Sequence, residues 1–464
     1  MSAASEIAVD LCQTSDAGKI VHAVETKQAK IAVVGMGHVG LPTALGLAEL
    51  GWNVIGVDSD SEKISLLQSG KAWFYEPGLT ELLLRHLRTG KFQLMTHVGG
   101  AVREATVVFI CVGTPQSDNG EADLSQVETV ARTIAQNLNG YKLVVEKSTV
   151  PAVTAQWVKR TIERYGNLGH NNGGLVDVAS NPEFLQEGVA ITNVLCPDRV
   201  VCGVPSDLAK SILSAIYGSL KRPILVTDTT TAELIKHAAN SFLSMKISFI
   251  NMVADLCEAT GADVTQVAAG IGMDPRIGTG FLQAGIGFGG YCFPKDLRAF
   301  IRLAEQYGVD FTLLKQVEAI NQRRTEAFLQ KVRNALWILR DKTIGVLGLS
   351  FKPGTDDIRE APSLRIVRTL LAEGATLQLH DPQAMDNFRR VLPDGERVRY
   401  CESAYAAARE AHCLLVLTEW EEYRQLDLAE LKRLLQIPIL IDGRNLYDPK
   451  QAQAANFEYF SVGR

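Results

Sequence analysis

Residues 30–40 read KIAVVGMGHVG. An apolar run of strand length, residues 31–34, leads directly into Gly35-x-Gly37-x-x-Gly40 and then into residues of helical character. Each glycine has a separate reason. Gly35 permits a tight turn, Gly37 lets the backbone come close to a diphosphate, and Gly40 lets helix and strand pack closely. The helix N-terminus adds free N–H groups and a positive dipole end. The next apolar run, residues 53–58, ends in Asp58, at the spacing of about 20 residues where a ribose-binding acid is expected. The stretch therefore predicts a dinucleotide-binding strand, turn and helix, with His38 and Val39 inside the cofactor-binding turn. A carboxylate at Asp58 can accept from both ribose hydroxyls but repels a 2′-phosphate, so NAD is expected rather than NADP. Lys63 could reach the adenosine end; its spacing fits a solvated helix lysine equally well.

Working outward, strand-like runs at residues 30–35, 53–58, 106–112, 142–147, 176–180 and 199–203 alternate with helical patterns such as 41–50 and 61–69. That alternation predicts a parallel sheet with helices on both faces. From Thr230 the texture changes. TAELIKHAANSFLSMKISFINMVADLCEATG has apolar residues at helical spacing and no proline, and Gly261 is expected to close the helix. A second helical stretch is expected over about residues 294–339. A long helix with this much apolar surface must pack on something, and a symmetric partner subunit is one candidate. After Asp341 the strand–helix alternation returns at residues 343–348, 375–380, 412–417 and 438–441, without the full glycine fingerprint. The expected fold class is α/β, with two Rossmann-like doubly wound domains joined by a central helical domain. The boundaries read as 29–228, 229–330 and 331–464, after a loose extension over residues 1–28. NLGHNNGG at residues 167–174 reads as a surface loop.

A chain of 464 residues fits roughly three domains at about 150 residues each. Its 46% hydrophobic and 21% charged residues exclude a disordered chain. The net charge of −5 gives no nucleic-acid footprint and leaves small anionic ligands open. The most apolar window, residues 31–48, contains four glycines, Pro42 and His38, so no membrane insertion is expected. The first 30 residues hold no apolar signal-peptide core. The eight cysteines form no CxxC pair and the histidines no HxxxH or HExxH spacing, so no metal site is expected. Scattered cysteines without a signal peptide fit a reducing cytoplasm.

The chemistry concentrates at residues 285–296, GIGFGGYCFPKD. Four glycines allow close backbone approach to a ligand. Pro294 suits the first turn of a helix. Cys292 would then stand at a helix N-terminus beside Lys295, and both features favour the thiolate, a nucleophile able to attack a carbonyl carbon. Asp296 lies one turn on. A buried, inert cysteine beside a glycine turn is the plainer reading by residue type alone, and the glycine, proline, lysine and aspartate context argues against it.

On the long helix Lys236 and Asn240 are four apart and share a face. A lysine can stabilise a developing alkoxide and an amide can position substrate or water; a solvated lysine would show the same spacing. In residues 181–187, NPEFLQE, Glu183 and Glu187 follow a strand directly. They could serve acid–base chemistry or be ordinary first-turn acids. Thr114 and Thr149 end strands, where ligands of open α/β sheets sit, and each could equally cap a helix. A nicotinamide site together with a nucleophilic cysteine suggests alcohol oxidation to an aldehyde, a thiohemiacetal, a thioester and finally a carboxylic acid.

In VVGMGHVGLPTA, FYEPGL, NPEFLQEG with PDRVV, ELIKHAANSFLSMKISFIN, GFGGYCFPKD, GLSFKPGTDDIREAPS and DGRN, the chain resembles the UDP-glucose/GDP-mannose (nucleotide-sugar) dehydrogenase family over about residues 30–448. The resemblance implies an NAD-binding Rossmann domain, a helical dimerising core and a C-terminal UDP-binding domain, assembled as a homodimer or higher homo-oligomer. It makes Cys292 the nucleophile and groups Lys236, Asn240, Asp296 and Thr149 around the reacting carbon and hydrolytic water. Glu183 would be an acid–base group and Glu187 a contact to cofactor and substrate. Asp58, Lys63, Thr114, Thr149, Lys295 and Arg359 match NAD contacts. Substrate contacts fall on Phe184, Leu185 and Gln186 beside Glu183 and Glu187, and on Lys236 and Asn240. They continue through Phe281, Leu282, Gln283, Ala284, Gly285 and Gly289 to Phe351 and Lys352, with Arg444 a further candidate. Arg276 resembles an arginine that crosses to the partner subunit's substrate. Tyr291 stands where many members have serine. CFPKD and FYEPGL favour UDP-glucose, oxidised to UDP-glucuronate for polysaccharide biosynthesis, over GDP-mannose or a UDP-N-acetyl-hexosamine. A two-electron β-hydroxyacid dehydrogenase would use only Lys236 and Asn240, and would leave the Cys292 loop without a role.

Overall fold

The computed structural model describes residues 16–117, 120–166 and 176–464. Cys12, most of the N-terminal extension and the 167–174 segment lie outside the described residues. The chain divides into two compact units, Met1–Ala238 and Ala239–Arg464.

The first unit is built on eight strands: β1 (Lys30–Val34), β2 (Asn53–Val57), β3 (Phe92–Met95), β4 (Val107–Ile110), β5 (Lys142–Glu146), β6 (Val176–Ser180), β7 (Val200–Gly203) and β8 (Ile224–Thr227). Their order is β3-β2-β1-β4-β5-β6-β7-β8, parallel except between β6 and β7. The chain thus starts mid-sheet, runs out to β3, then returns past β1 to β4. That reversal leaves a crevice beyond the carboxyl ends of β1 and β4, where dinucleotides bind in such sheets. Strands β1, β4 and β5 are buried on both faces, as a sheet covered by helices requires.

The second unit has six parallel strands: β9 (Thr343–Leu347), β10 (Thr376–His380), β11 (Val398–Tyr400), β12 (Cys413–Val416), β13 (Ile439–Asp442) and β14 (Glu458–Phe460). The order β11-β10-β9-β12-β13-β14 repeats the same winding. The doubly wound α/β expectation holds for both sheets. Four strands, β3, β8, β11 and β14, carry no sequence alternation strong enough to announce them and lie at the sheet edges.

One helical expectation holds and one changes. The long helix is continuous over Thr229–Thr260 and ends at Gly261, whose φ of +77° suits a residue without a Cβ. The stretch expected as one helix over 294–339 is two, Cys292–Gln306 and Thr312–Leu336, broken at Gly308 with φ +69°. The long helix also inverts the usual pattern. Glu233, Lys236, His237, Asn240, Ser241, Ser244, Ser248 and Asn251 are buried, while Phe242, Phe249 and Leu256, seven residues apart, are 57%, 48% and 64% exposed.

The loose extension is corrected for its last part. Asp16–Glu25 is an amphipathic helix, and Val24 is fully buried in the core with Ile20 and Ala23 packed beside it. Lys27 then donates to the carbonyl of Leu50 at 2.6 Å. Val24→Ala should therefore lower stability by about 2 kcal/mol, from roughly 0.8 kcal/mol per buried methylene plus the cavity left behind. Urea unfolding would read this as a lower midpoint at unchanged slope; an unshifted midpoint would mean that the helix does not dock.

Candidate active site

In the first unit the glycine turn discriminates between structural and ligand roles. Gly35 has φ +98°, and a Cβ there would lie 2.5 Å from the carbonyl oxygen of Cys111. A Cβ on Gly40 would sit 1.7 Å from the carbonyl oxygen of Gly35. Those two glycines are required by the chain's own packing. A Cβ on Gly37 meets nothing within 4 Å. The open space over Gly37, at the mouth of the helix Gly40–Glu49, is what a pyrophosphate approaching the backbone needs, so the turn fits NAD. Asp58 ends β2 as expected. Its Oδ2 accepts from the N–H of Met36 at 2.9 Å and from Lys63 Nζ at 3.0 Å, so Asp58 and Lys63 do come together. Trp73 donates to the carbonyl of Met36 at 2.8 Å and lies under the Lys63 ammonium. His38 stacks on Phe74 with ring centroids 4.2 Å apart.

At the ends of β4 and β5, Thr114 donates its hydroxyl to the carbonyl of Thr149 at 2.9 Å, so the two threonines join the strand ends rather than cap helices. The loop after Thr149 is pinned to the long helix. Glu233 accepts from the N–H groups of Val153 and Ala155 at 2.6 and 2.8 Å, and His237 meets the carbonyl of Val150 at 2.9 Å. Burial pushes the Glu233 carboxyl up to about 7 against the pull of those two N–H groups. One turn along, Lys236 Nζ forms a buried ion pair with Glu183 Oε1 at 3.0 Å. Burial is tolerable for such a pair because each charge has its partner. Phe184 lies against both Lys236 and Arg199. The first-turn-acid reading of Glu183 and Glu187 fails, because residues 181–187 are irregular and the following helix begins only at Ala190. Leu185 is half-buried, as is Glu187, and Gln186 is exposed. Beneath this loop Lys147 is buried, donating to Asn181 Oδ1 at 3.1 Å, and burial lowers its ammonium.

In the second unit Cys292 is the first residue of its helix and is partly exposed. Asp296 is 1% exposed and saturated by side chains: Lys295 Nζ reaches Oδ1 at 2.7 Å and Asn240 Nδ2 reaches Oδ2 at 2.6 Å. Burial alone would lower the Lys295 ammonium; the Asp296 charge and hydrogen bond outweigh it and hold it above its ordinary value. Asn240, from the long helix, thus meets Lys295 and Asp296 in the first turn of the helix that Cys292 begins.

The glycine loop before Cys292 is tied down residue by residue. Asn251 Oδ1 accepts from the N–H of Gly285 at 2.9 Å, and Asn321 brackets Phe288 through both its amide atoms. A Cβ on Gly289 would lie 2.4 Å from the carbonyl oxygen of Glu360, and Gly290, at φ +79°, lies against the ring of Phe351. Phe281 has φ +65°, Leu282 and Ala284 are buried, and Gln283 is exposed. Lys352 lies over the Phe351 ring. Arg359 forks onto Asp357 and lies over Tyr291 at 4.4 Å. Arg444 braces the loop from the sheet: it donates to the carbonyls of Leu417 and Gly287 at 2.8 and 3.2 Å. Arg276 is not drawn into this cluster; its side chain is 87% exposed and pairs with Asp274.

Sequence reasoning passed over Glu233, and over Glu76 inside FYEPGL, whose carboxylate accepts from the N–H groups of Gly188 and Ala190 at 2.7 Å each. Their only signal was an acid in an otherwise apolar setting. Among the described residues no group of three or more His, Cys, Asp or Glu side chains could hold a metal ion, and no helix is long and apolar enough to cross a membrane.

Comparisons with known proteins agree over most of the chain. Residues 29–221 match the NAD binding domain of the UDP-glucose/GDP-mannose dehydrogenase family, residues 230–323 its central domain and residues 345–449 its UDP binding domain. The chain is 42% identical to a UDP-glucose 6-dehydrogenase of Rhizobium meliloti over 94% of this chain and 99% of the relative. It is 41% identical to UDP-glucose 6-dehydrogenase TuaD of Bacillus subtilis over 94% of this chain and 93% of the relative. Among solved structures, a UDP-glucose dehydrogenase from Pyrobaculum islandicum superposes with TM-score 0.87 at 38% identity, covering 94% of this chain and 97% of the other. A UDP-D-ManNAc dehydrogenase from Pyrococcus horikoshii gives TM-score 0.82 at 29% identity, covering 94% and 99%.

The second and third glycines of the turn make a paired test. Gly37→Ala should fold normally and bind NAD at least tenfold more weakly, a loss of about 1.4 kcal/mol or more. Gly40→Ala should instead lose about 1–3 kcal/mol of stability through overpacking. Calorimetric NAD titration and urea unfolding of both variants separate the two effects. Equal NAD affinity in Gly37→Ala would remove the pyrophosphate from that space.

Proposed function

As the chain belongs to the UDP-glucose/GDP-mannose dehydrogenase family and carries its NAD-binding domain, we propose that it oxidises UDP-glucose to UDP-glucuronate through a covalent Cys292 intermediate. The observation that carries the reading is Cys292 as first residue of a helix, one turn before an Asp296 that holds Lys295 and Asn240. UDP-glucose is favoured as substrate because the 41–42% identical relatives bear that name, whereas the UDP-D-ManNAc enzyme is 29% identical.

Gly35, Gly37, Gly40, Asp58 and Lys63 would hold NAD, which when bound accepts a hydride, two equivalents accounting for four electrons. The remaining steps fall to the chain. Glu183, paired with Lys236, takes the hydroxyl proton as the alcohol becomes an aldehyde. The Cys292 thiolate adds to the aldehyde carbon; the C–S bond forms as the carbonyl oxygen gains a proton. Lys236 and Asn240, one turn apart on one helix, stabilise the negative charge building on that oxygen. Loss of the second hydride and of the hydroxyl proton leaves a thioester. Water then attacks, the C–S bond breaks, and thiolate and carboxylate are released. Phe281, Leu282, Gly285, Gly289, Phe351 and Lys352 line the loop and strand end that would take the UDP-sugar, and Thr149, Glu187 and Arg359 would complete the cofactor contacts.

We further propose that the exposed stripe of Phe242, Phe249 and Leu256, spaced seven residues apart, is covered by the same helix of a second subunit. Arg276, exposed on the same unit, would reach the partner's substrate. Mixed dimers of Arg276→Ala and Cys292→Ala subunits should then regain measurable NADH production that neither parent has. Mixing without recovery would show that each subunit uses its own arginine.

Each UDP-glucose should yield two NADH. Cys292→Ser should cut turnover by orders of magnitude, since an ester hydrolyses less readily than a thioester and serine lacks the thiolate's nucleophilicity. Intact-protein mass spectrometry should then reveal a trapped acyl adduct. One NADH per sugar, or near-normal acid production by Cys292→Ala, would favour the two-electron β-hydroxyacid chemistry instead.

A further inference from the structure

The second unit contains a cavity of about 390 Å³ that the mechanism does not use. It lies between the helices Cys292–Gln306, Thr312–Leu336 and Pro362–Ala372. That volume falls in the range of about 300–1,000 Å³ typical of small-molecule sites. Three arginines line it: Arg298, Arg365 and Arg368. Arg298 is compensated, with Glu318 at 2.6 Å and Glu360 at 4.0 Å. The other two are not. Arg365 donates to the carbonyl oxygen of Gln322 at 3.2 Å, and neither it nor Arg368 has a carboxylate within ion-pair reach among the described residues.

Arg365 and Arg368 are three apart on one helix, so their like charges are neighbours and repel. An uncompensated pair beside a cavity is what a doubly charged anion would relieve. Two guanidinium forks can engage a phosphate with parallel N–H···O bonds, a match that two ammonium groups could not make. The helix Thr312–Leu336 contributes Asn321, Gln322 and Thr325, and the two carboxylates of the lining, Glu318 and Glu360, are both turned to Arg298. The amides and the hydroxyl suit the hydroxyl- or amide-bearing remainder of a ligand.

We propose that this cavity binds the phosphate group of a small phosphorylated molecule, at a site separate from the Cys292 face. Pro294 and Leu297 form part of its wall, so an occupant would press on the helix that begins at Cys292.

Inorganic phosphate is the probe. The full chain, saturated with NADH and UDP to fill the catalytic sites, is titrated by calorimetry against a chloride control of equal ionic strength. Saturable binding is expected. R365Q/R368Q should weaken it tenfold or more while turnover without phosphate stays within twofold of the parent. Both residues are exposed, so the variant should fold. As a second measurement, crystals soaked in tungstate should give an anomalous peak between Arg365 and Arg368. No saturable heat, affinity unchanged in the variant, or a tungstate peak only at the catalytic loops would each overturn the proposal.

Discussion

A carboxylate that water cannot reach must have its charge and both oxygens satisfied, or it costs several kcal/mol. Asp296 meets that requirement with Lys295 on one oxygen and Asn240 on the other. Much of the second unit follows. The bond to Asn240 fixes the start of the helix Cys292–Gln306 against the long helix, and Cys292 comes exactly one turn earlier in the chain's own register. The preceding loop must then reach that point in a few residues. It does so with Gly287 and Gly290 at positive φ and with Gly289 too close to Glu360 to carry a Cβ. Asn251 and Asn321 supply the hydrogen bonds that a loop without secondary structure lacks. Cys292 is thus placed by the register of a helix whose first turn is held by Asp296, Lys295 and Asn240.

The two sheets wind in the same order and yet hold different chemistry, and one acid in each explains why. Asp58, just past β2, accepts the N–H groups of Met36 and Asp60, keeps Lys63 beside it and stays partly exposed. Asp381, at the corresponding end of β10, is fully buried. It accepts from Leu349, Ser350, Gln383 and Ala384 through their N–H groups and from Trp420 through its indole. A carboxylate so occupied braces its turn and has nothing left for a ribose. Sterically the two turns are alike at their first glycine: a Cβ on Gly348 would lie 2.4 Å from the backbone nitrogen of Thr418, as one on Gly35 would lie 2.5 Å from the carbonyl oxygen of Cys111. Equal topology brings a crevice to the same place, and the side chains decide what it receives.

Legibility in the sequence followed the range of the interactions. The glycine turn, Asp58 and the Cys292 helix start are local patterns, and each stands where the spacing put it. The strand alternation gave both sheets but not their edges, because β3, β8, β11 and β14 are half covered and their residues need not be apolar. The break at Gly308 was hidden by apolar periodicity continuing on either side. Val24 was hidden because a docked terminal helix reads like a frayed one until its groove is known. Glu183 and Lys236 lie 53 positions apart, and no local pattern announces that one neutralises the other. The same holds for Glu233 and Glu76, acids whose partners are backbone N–H groups far along the chain.

The long helix was legible as an element, but not which of its faces is buried. Water normally turns apolar residues inward. The structure turns a stripe of Glu233, Lys236, His237, Asn240, Ser244, Ser248 and Asn251 inward and leaves Phe242, Phe249 and Leu256 out. Each inward polar group has work that an apolar residue could not do: Glu233 and His237 hold the loop after Thr149, Asn240 holds Asp296, Ser248 donates to Val317 and Asn251 holds the glycine loop. With so much of the buried face given to polar bonds, only Ala232, Ile250, Ala254 and Cys257 are fully buried apolar residues of this helix, and its phenylalanines stay outside. The helix therefore joins two features, buried polar groups that hold the surrounding loops and an apolar stripe at seven-residue spacing that stays exposed.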